Sequence, residues 1–191
     1  MNKIIEPIVS NICAKFNTGC EIELNDIIDN DQFIIFKSKK YDASRFSGLV
    51  AKLSDSKITL IIFKSGVVIQ VGGKTEKELL DTAYDFAFLL AMLLNYRSNV
   101  VNFNVTNICG SADFGQRIDL NKLYSDRKKQ CSYEVELYVN MKYRINGRCL
   151  TICHTGKIFG TGFKSIAELN EIFSECYNEV SAYLIKGWTI Q

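Results

Sequence analysis

The chain has 191 residues, 47% of them hydrophobic, and a net charge of +2. That length suits one domain or two small ones, the apolar share excludes a disordered chain, and the charge permits nucleic acid without arguing for it. No apolar run reaches the roughly 18 to 20 residues a membrane span needs. The N-terminus lacks the apolar core and cleavage site of a signal peptide, so neither membrane nor export is expected, and the seven cysteines read as free thiols in a reducing compartment.

The first predicted strand lies in SNICAKFNTGCEIEL (residues 10–24) and is followed by a short helical or irregular segment. Strands follow in KYDASRFSGLVAKL (40–53), KITLIIFKSG (57–66) and VVIQV (67–71), with Lys64-Ser65-Gly66 closing a hairpin. TEKELLDTAYDFAFLLAMLL (75–94) then reads as a long helix.

The same order returns. TNICGSADFGQRIDL (106–120) answers residues 10–24, SYEVELYVNMKYRI (132–145) answers 40–53, and ICHTGKIFGTGFKS (152–165) answers IFKSGVVIQVGGKT (62–75). Asn146-Gly147 is a type I′ hairpin signal, and His154-Thr155-Gly156 closes a further hairpin. The second long helix is SIAELNEIFSECYNEVSAYLIKG (165–187), opened by a capping box of Ser165 and Glu168. The chain therefore reads as two repeats, 1–97 and 98–191, of α+β class. Their antiparallel strands are expected to join into one sheet with the two long helices on one side.

No metal site is expected. Cys149 and Cys153 lie four residues apart on one strand face, about 13 Å at roughly 3.3 Å per residue, too far for one ion. Cys153 and His154 point to opposite faces, so no nucleophile–base pair forms, and neither a cofactor nor catalysis is expected.

A sheet covered on one side should be polar on the other, yet here neither face reads as wet. Ile58, Leu60 and Ile62 oppose Thr59, Ile61 and Phe63; Leu150 and Ile152 oppose Cys149, Thr151 and Cys153; Val67, Ile69 and Val71 share a face. A large uncovered apolar sheet face marks a binding surface. An obligate dimer, a cradle for lipid or another apolar ligand, and a surface for something flat and partly apolar all meet that description.

From Ser10 to Trp188 the chain resembles the TATA-binding protein (TBP) family. The resemblance rests on YDASRF (41–46), LIIFKSG (60–66) and VGGK (71–74) in the first repeat. In the second it rests on YEVELY (133–138), ICHTGK (152–157) and TGFK (161–164), with AYLIKGW near the end. It implies a curved antiparallel sheet, a saddle, with helices on the convex face and AT-rich double-stranded DNA held by its minor groove on the concave face. The family's kink of about 80° comes with the resemblance and is not read from these residues.

By the same resemblance Asn11 and Asn107 are similar to asparagines that hydrogen-bond base acceptors, and Cys13 and Cys109 replace the valines that follow them. Ile61, Ile69 and Val71, with Thr151, Phe159 and Thr161, match groove-floor positions. Arg45, Lys52 and Lys74 match phosphate contacts in the first repeat, and Arg144, Lys157 and Lys164 do so in the second; Val67 departs from an expected lysine. Phe46 and Phe63 supply a wedge pair, whereas the second repeat has Tyr138 and Cys153. Glu134, Glu136 and Leu137 retain a motif that contacts a TFIIB-class factor. In the 79–94 helix Asp85, Phe88 and Met92 stand where basic residues are expected. That helix is apolar nearly all round, which implies cover by another protein or a second copy.

The function expected is that of a transcription initiation factor that binds and bends promoter DNA and recruits a TFIIB-class partner. It would act in the nucleus, or at a cytoplasmic site of viral transcription for a large DNA virus. The alternative is a protein-interaction scaffold of the same fold that has lost DNA binding, and the exposure of Phe46 and Phe63 separates the two.

Overall fold

A computed structural model describes residues 5–185. It divides into two compact units, Asn11–Thr106 and one formed by the residues up to Ser10 together with those from Asn107 onward. Residues 98–106 thus fall with the first unit. The end of the second predicted helix and the matched AYLIKGW segment run past the described residues.

The first half contains strand β1 (Ile8–Asn17), the short helix α1 (Leu24–Ile28), strands β2 (Phe36–Asp42), β3 (Phe46–Leu53), β4 (Thr59–Phe63) and β5 (Val67–Gly73), and helix α2 (Glu76–Leu94). Its strands lie in the order β2-β3-β4-β5-β1, every pairing antiparallel. The second half repeats this with β6 (Val101–Asp113), α3 (Leu120–Asp126), β7 (Cys131–Ser132), β8 (Met141–Ile145), β9 (Arg148–Ile152), β10 (Lys157–Phe163) and α4 (Ile166–Val180). Its order is β6-β10-β9-β8-β7. The α+β class and the internal duplication are as the sequence predicts.

Period-2 alternation sends one residue set of each strand under a helix. Leu60, Ile62, Val68, Ala14 and Phe16 bury against Leu79, Ala83, Phe86 and Leu90 of α2; Leu150, Ile152 and Ile158 do so with Leu169, Phe173, Cys176 and Val180 of α4. Each of the leucine, isoleucine, valine and phenylalanine side chains among them stabilises the fold by about 1.5–3 kcal/mol. Tyr143 is fully buried on β8, and its hydroxyl donates to the Glu179 carboxylate. Burial pushes that hydroxyl far above its ordinary range.

Both long helices start on the same device. The Thr75 and Ser165 side chains accept from the Glu78 and Glu168 amides at 3.1 Å, while the two glutamates accept from the Lys74 and Lys164 amides at 2.8 Å. Asn146 (φ 45°) and Gly147 (φ 75°) make the expected turn between β8 and β9.

The α2 helix has two apolar sides, and its own half covers one of them. Leu79, Thr82, Ala83, Phe86, Ala87 and Leu90 face the sheet, but Tyr84, Phe88 (62% exposed) and Met92 (66% exposed) run down the opposite side. Among the described residues no helix is long and apolar enough to cross a membrane.

Candidate nucleic-acid interface

The uncovered face of each half is organised by strand register. In the first half Cys13 pairs Val71, Val71 pairs Thr59, and Thr59 pairs Lys52. The next row runs Lys15, Ile69, Ile61, Val50. The last brings Asn17 opposite Val67 and Phe63 opposite Gly48. In the second half one row reads Ser111, Phe159, Thr151, Lys142, and Arg144 pairs Cys149 beside it. The predicted floor residues thus share one face in each half. That face is half-exposed rather than dry, because its side chains lack a covering layer: Ile61, Ile69, Val71 and Thr151 are intermediate in exposure, and Phe159 is 46% exposed.

Each half places an asparagine at the edge of this face and fixes it in the same way. A bulge puts Gly72 (φ 107°) and Gly162 (φ 94°) in a conformation that other residues rarely adopt. The Gly72 amide donates to Asn11 Oδ1 at 2.9 Å, and the Gly162 amide donates to Asn107 Oδ1 at 2.8 Å. The amide oxygen of each asparagine is thereby used. Each NH₂ group makes only a 3.2 Å contact to the thiol of Cys13 or Cys109, so each presents donors to the face.

Phe46 and Phe63 meet edge to face with ring centroids 5.9 Å apart. Gly48 is their seat: a Cβ there would lie 2.8 Å from Phe46 and 3.0 Å from Phe63. Phe46 is 45% exposed and Phe63 half-buried. The second half builds no such pair. Tyr138 is exposed, with Lys142 Nζ 5.4 Å from its ring centroid, and Asn140 follows two residues later, as Gly48 follows Phe46. Cys153 is half-buried at the β9–β10 turn, and burial pushes its thiol pKa up.

The basic residues divide into floor and rim. Lys52 and Arg144 are exposed on strands of the open face, and Lys157 is exposed at the start of β10. Arg45 sits on the β2–β3 turn, 3.4 Å from Asp42. Lys74 and Lys164 are exposed at the helix starts, where the two capping glutamates hold their backbone amides. Two lysines on the open face were not predicted, Lys15 and Lys142, although the alternation in MKYRI puts Lys142 on the same side as Arg144. Gly48, Gly72 and Gly162 were also missed as positioning residues.

Away from this face, Glu134, Glu136 and Leu137 (81% exposed) lie together on the turn between β7 and β8. The Leu137 and Tyr138 amides both donate to the Glu134 carbonyl, at 3.0 and 2.9 Å. Val135 and Val139, absent from the predicted set, extend the exposed apolar surface there. Asp85 is exposed beside the Phe88–Met92 stripe on α2. All seven cysteines are free thiols, and no cluster able to hold a metal ion occurs among the described residues.

Comparison with known proteins places this geometry. The family described as "Transcription factor TFIID (or TATA-binding protein, TBP)" matches residues 6–93 and 102–183. The chain is 30% identical over 178 residues to TATA-box-binding protein-like 1 of Entamoeba histolytica, covering 92% of this chain and 80% of that one. It is 30% identical over 181 residues to the TATA-box-binding protein of Acanthamoeba castellanii, covering 94% and 68%. Among solved structures, Methanococcus jannaschii TBP superposes with a TM-score of 0.78 at 23% identity, over 93% of this chain and 99% of that one, a likeness of fold.

Proposed function

This chain belongs to the TATA-binding protein family, and on that premise we propose that it binds the minor groove of AT-rich promoter DNA through the open sheet faces of its two halves, bends it and recruits a TFIIB-class factor. The observation that carries the reading is the pair of locked asparagines. With Oδ1 of Asn11 and Asn107 engaged by glycine amides, each offers donors to a mostly apolar face. In the minor groove A·T and T·A pairs display acceptors only, whereas G·C adds a donor that such a group would oppose. Arg45, Lys52 and Lys74, with Arg144, Lys157 and Lys164, supply phosphate contacts. Phe46 and Phe63, paired and accessible, supply the wedge, which favours DNA binding over the scaffold alternative.

Three thiols are natural reporters of this reading. Cys13 and Cys109 adjoin the asparagines, and Cys149 is exposed on β9. An AT-rich duplex should slow their alkylation and leave Cys20 unaffected, while a GC-rich duplex of equal length should protect weakly. A gel shift that detects no complex with any duplex at low salt refutes the proposal.

Two protein surfaces complete it. The Glu134–Glu136–Leu137 turn is the site for the TFIIB-class factor. The α2 stripe takes a second protein through an apolar segment flanked by basic residues, which Asp85 complements, Asp81 being paired with Lys77. The fold itself does not demand that stripe. At the equivalent positions, 90 residues on, stand Ser174, Asn178 and Ala182, while Glu171 and Glu175 keep the acidic pair. Three partly exposed side chains of about 200 Å² each offer roughly 350 Å², short of the ~800 Å² per partner of a stable interface, so the occupant must also engage residues that flank the stripe.

A further inference from the structure

From the side chains around Lys142 we infer that the second half of this protein takes a DNA half-site different in kind from that of the first: an A-tract whose base acceptors are read by Lys142, in place of a step opened by a ring wedge. This rests on the DNA-binding reading above and divides its ligand in two.

Lys142 is a floor residue. It lies on β8 between the buried Met141 and Tyr143 and pairs Thr151, which in turn pairs Phe159. The same place in the first half holds Val50. The first half also has a face lysine, Lys15, but on β1, at the opposite end of its row from the wedge pair. Lys142 stands at the wedge end.

Its head group is held. Nζ donates to Thr151 Oγ1 at 2.8 Å and lies 5.4 Å from the Tyr138 ring centroid. The aromatic that should pair with a second ring is therefore engaged with a cation, and the second ring's place is taken by Cys153. An ammonium with one N–H bonded to Thr151 keeps two donors and its charge. Thr151, accepting from Lys142, has its own O–H left to donate. Charge and donors together suit a groove lined with acceptors and of concentrated negative potential, which a stiff A-tract provides. The first half, with two rings and Val50, suits a flexible pyrimidine–purine step that unstacks easily.

The test uses the full chain and three duplexes of equal length and composition. One carries a TA step at one end and an A-tract at the other; the second has TA steps at both ends; the third has A-tracts at both. The mixed duplex should bind about tenfold more tightly than either symmetric one, as one good groove contact is expected to discriminate. In Lys142→Met the advantage of the mixed duplex over the double-TA duplex should fall to about twofold or less, with the salt slope reduced by about one. Lys142→Arg should keep most of both. If Lys142→Met weakens all three duplexes equally with an unchanged salt slope, or if the wild type ranks the double-TA duplex first, this inference is overturned while DNA binding stands. Absence of wild-type binding to all three overturns both readings.

Discussion

Replacing Phe63 by alanine separates the two halves most directly. In the free protein Phe63 is half-buried and meets Phe46 edge to face at 5.9 Å. Truncating a fully buried phenylalanine costs about 3–5 kcal/mol, and the ring pair adds about 0.5–1.5 kcal/mol. Half burial brings the sum to about 2–3 kcal/mol, which a domain stable by about 5–15 kcal/mol survives. On DNA the loss is of another kind. Stacking a base on an aromatic ring is worth about 1–3 kcal/mol, so affinity should fall roughly 5- to 150-fold. The bend should fall too, because the unstacked step is no longer held open. Cys153→Ala removes a half-buried thiol with no ring to insert and should change affinity less than about twofold, the scale of a near-neutral surface substitution. Energy transfer between dyes on the duplex ends reads the bend, and a thermal melt of each variant checks the fold. Equal loss of bend in Phe63→Ala and Cys153→Ala would refute the assignment of the wedge to the first half.

Asn11→Asp keeps the acceptor for the Gly72 amide while replacing the donors by a charge; it should melt near the wild-type temperature yet bind AT-rich duplex at least about tenfold more weakly, and unchanged binding would remove Asn11 from the interface. Glu134→Arg with Glu136→Arg should abolish assembly of a ternary complex with a TFIIB-class factor and leave duplex binding intact; a surviving ternary complex counts against that surface. Phe88→Ser with Met92→Ser changes two exposed side chains and should leave the melt within about 1 kcal/mol of wild type, while capture of partners through α2 is lost; a large destabilisation would mean the stripe packs within the protein. The Glu168 carboxyl is held below its ordinary pKa of 4.5 first by the Lys164 amide and then by Arg148. The stability it contributes is present above pH 4.5 and lost as pH falls through the lowered value. Glu168→Gln should flatten that acid limb in a melting series from pH 6 to 3, and parallel limbs in the two proteins would exclude the effect.

What could be read from the sequence was what local chemistry repeats. The turns at Gly66 and Gly156, the capping box of Ser165 and Glu168 and the I′ turn at Asn146-Gly147 each follow from a few adjacent residues, and the recurrence of the glycine turns and the long helices gave the duplication. The two faces of β4 and β9 followed from period-2 alternation alone. What escaped needed tertiary knowledge. In α2 both the stripe of Tyr84, Phe88 and Met92 and the stripe of Leu79, Ala83, Phe86 and Leu90 are apolar, so periodicity could not say which one meets the sheet. Gly48 reads as an ordinary strand glycine until Phe46 and Phe63 are seen above it.

Lys142 escaped for a more instructive reason. Matching the repeats directs attention to positions where both copies carry similar chemistry, and there the first copy has Val50. A duplicated fold is informative in the opposite way as well. Equivalent positions share backbone and neighbouring strands, so a difference between them is not imposed by the fold. Val50 against Lys142, Phe63 against Cys153 and Phe88 against Asn178 are three such differences, and each falls on an exposed or half-exposed side chain. Buried positions differ as well, but each half still fills its own core: Ala83 and Phe86 on α2 answer Phe173 and Cys176 on α4, an exchange of large and small, while Leu79 and Leu169, or Leu60 and Leu150, stay alike. Core exchanges can compensate one another within a half, whereas the three surface differences lie on the faces proposed to meet DNA and partners. On the proposed reading those faces diverge where a symmetric duplex and a symmetric set of partners would keep them the same.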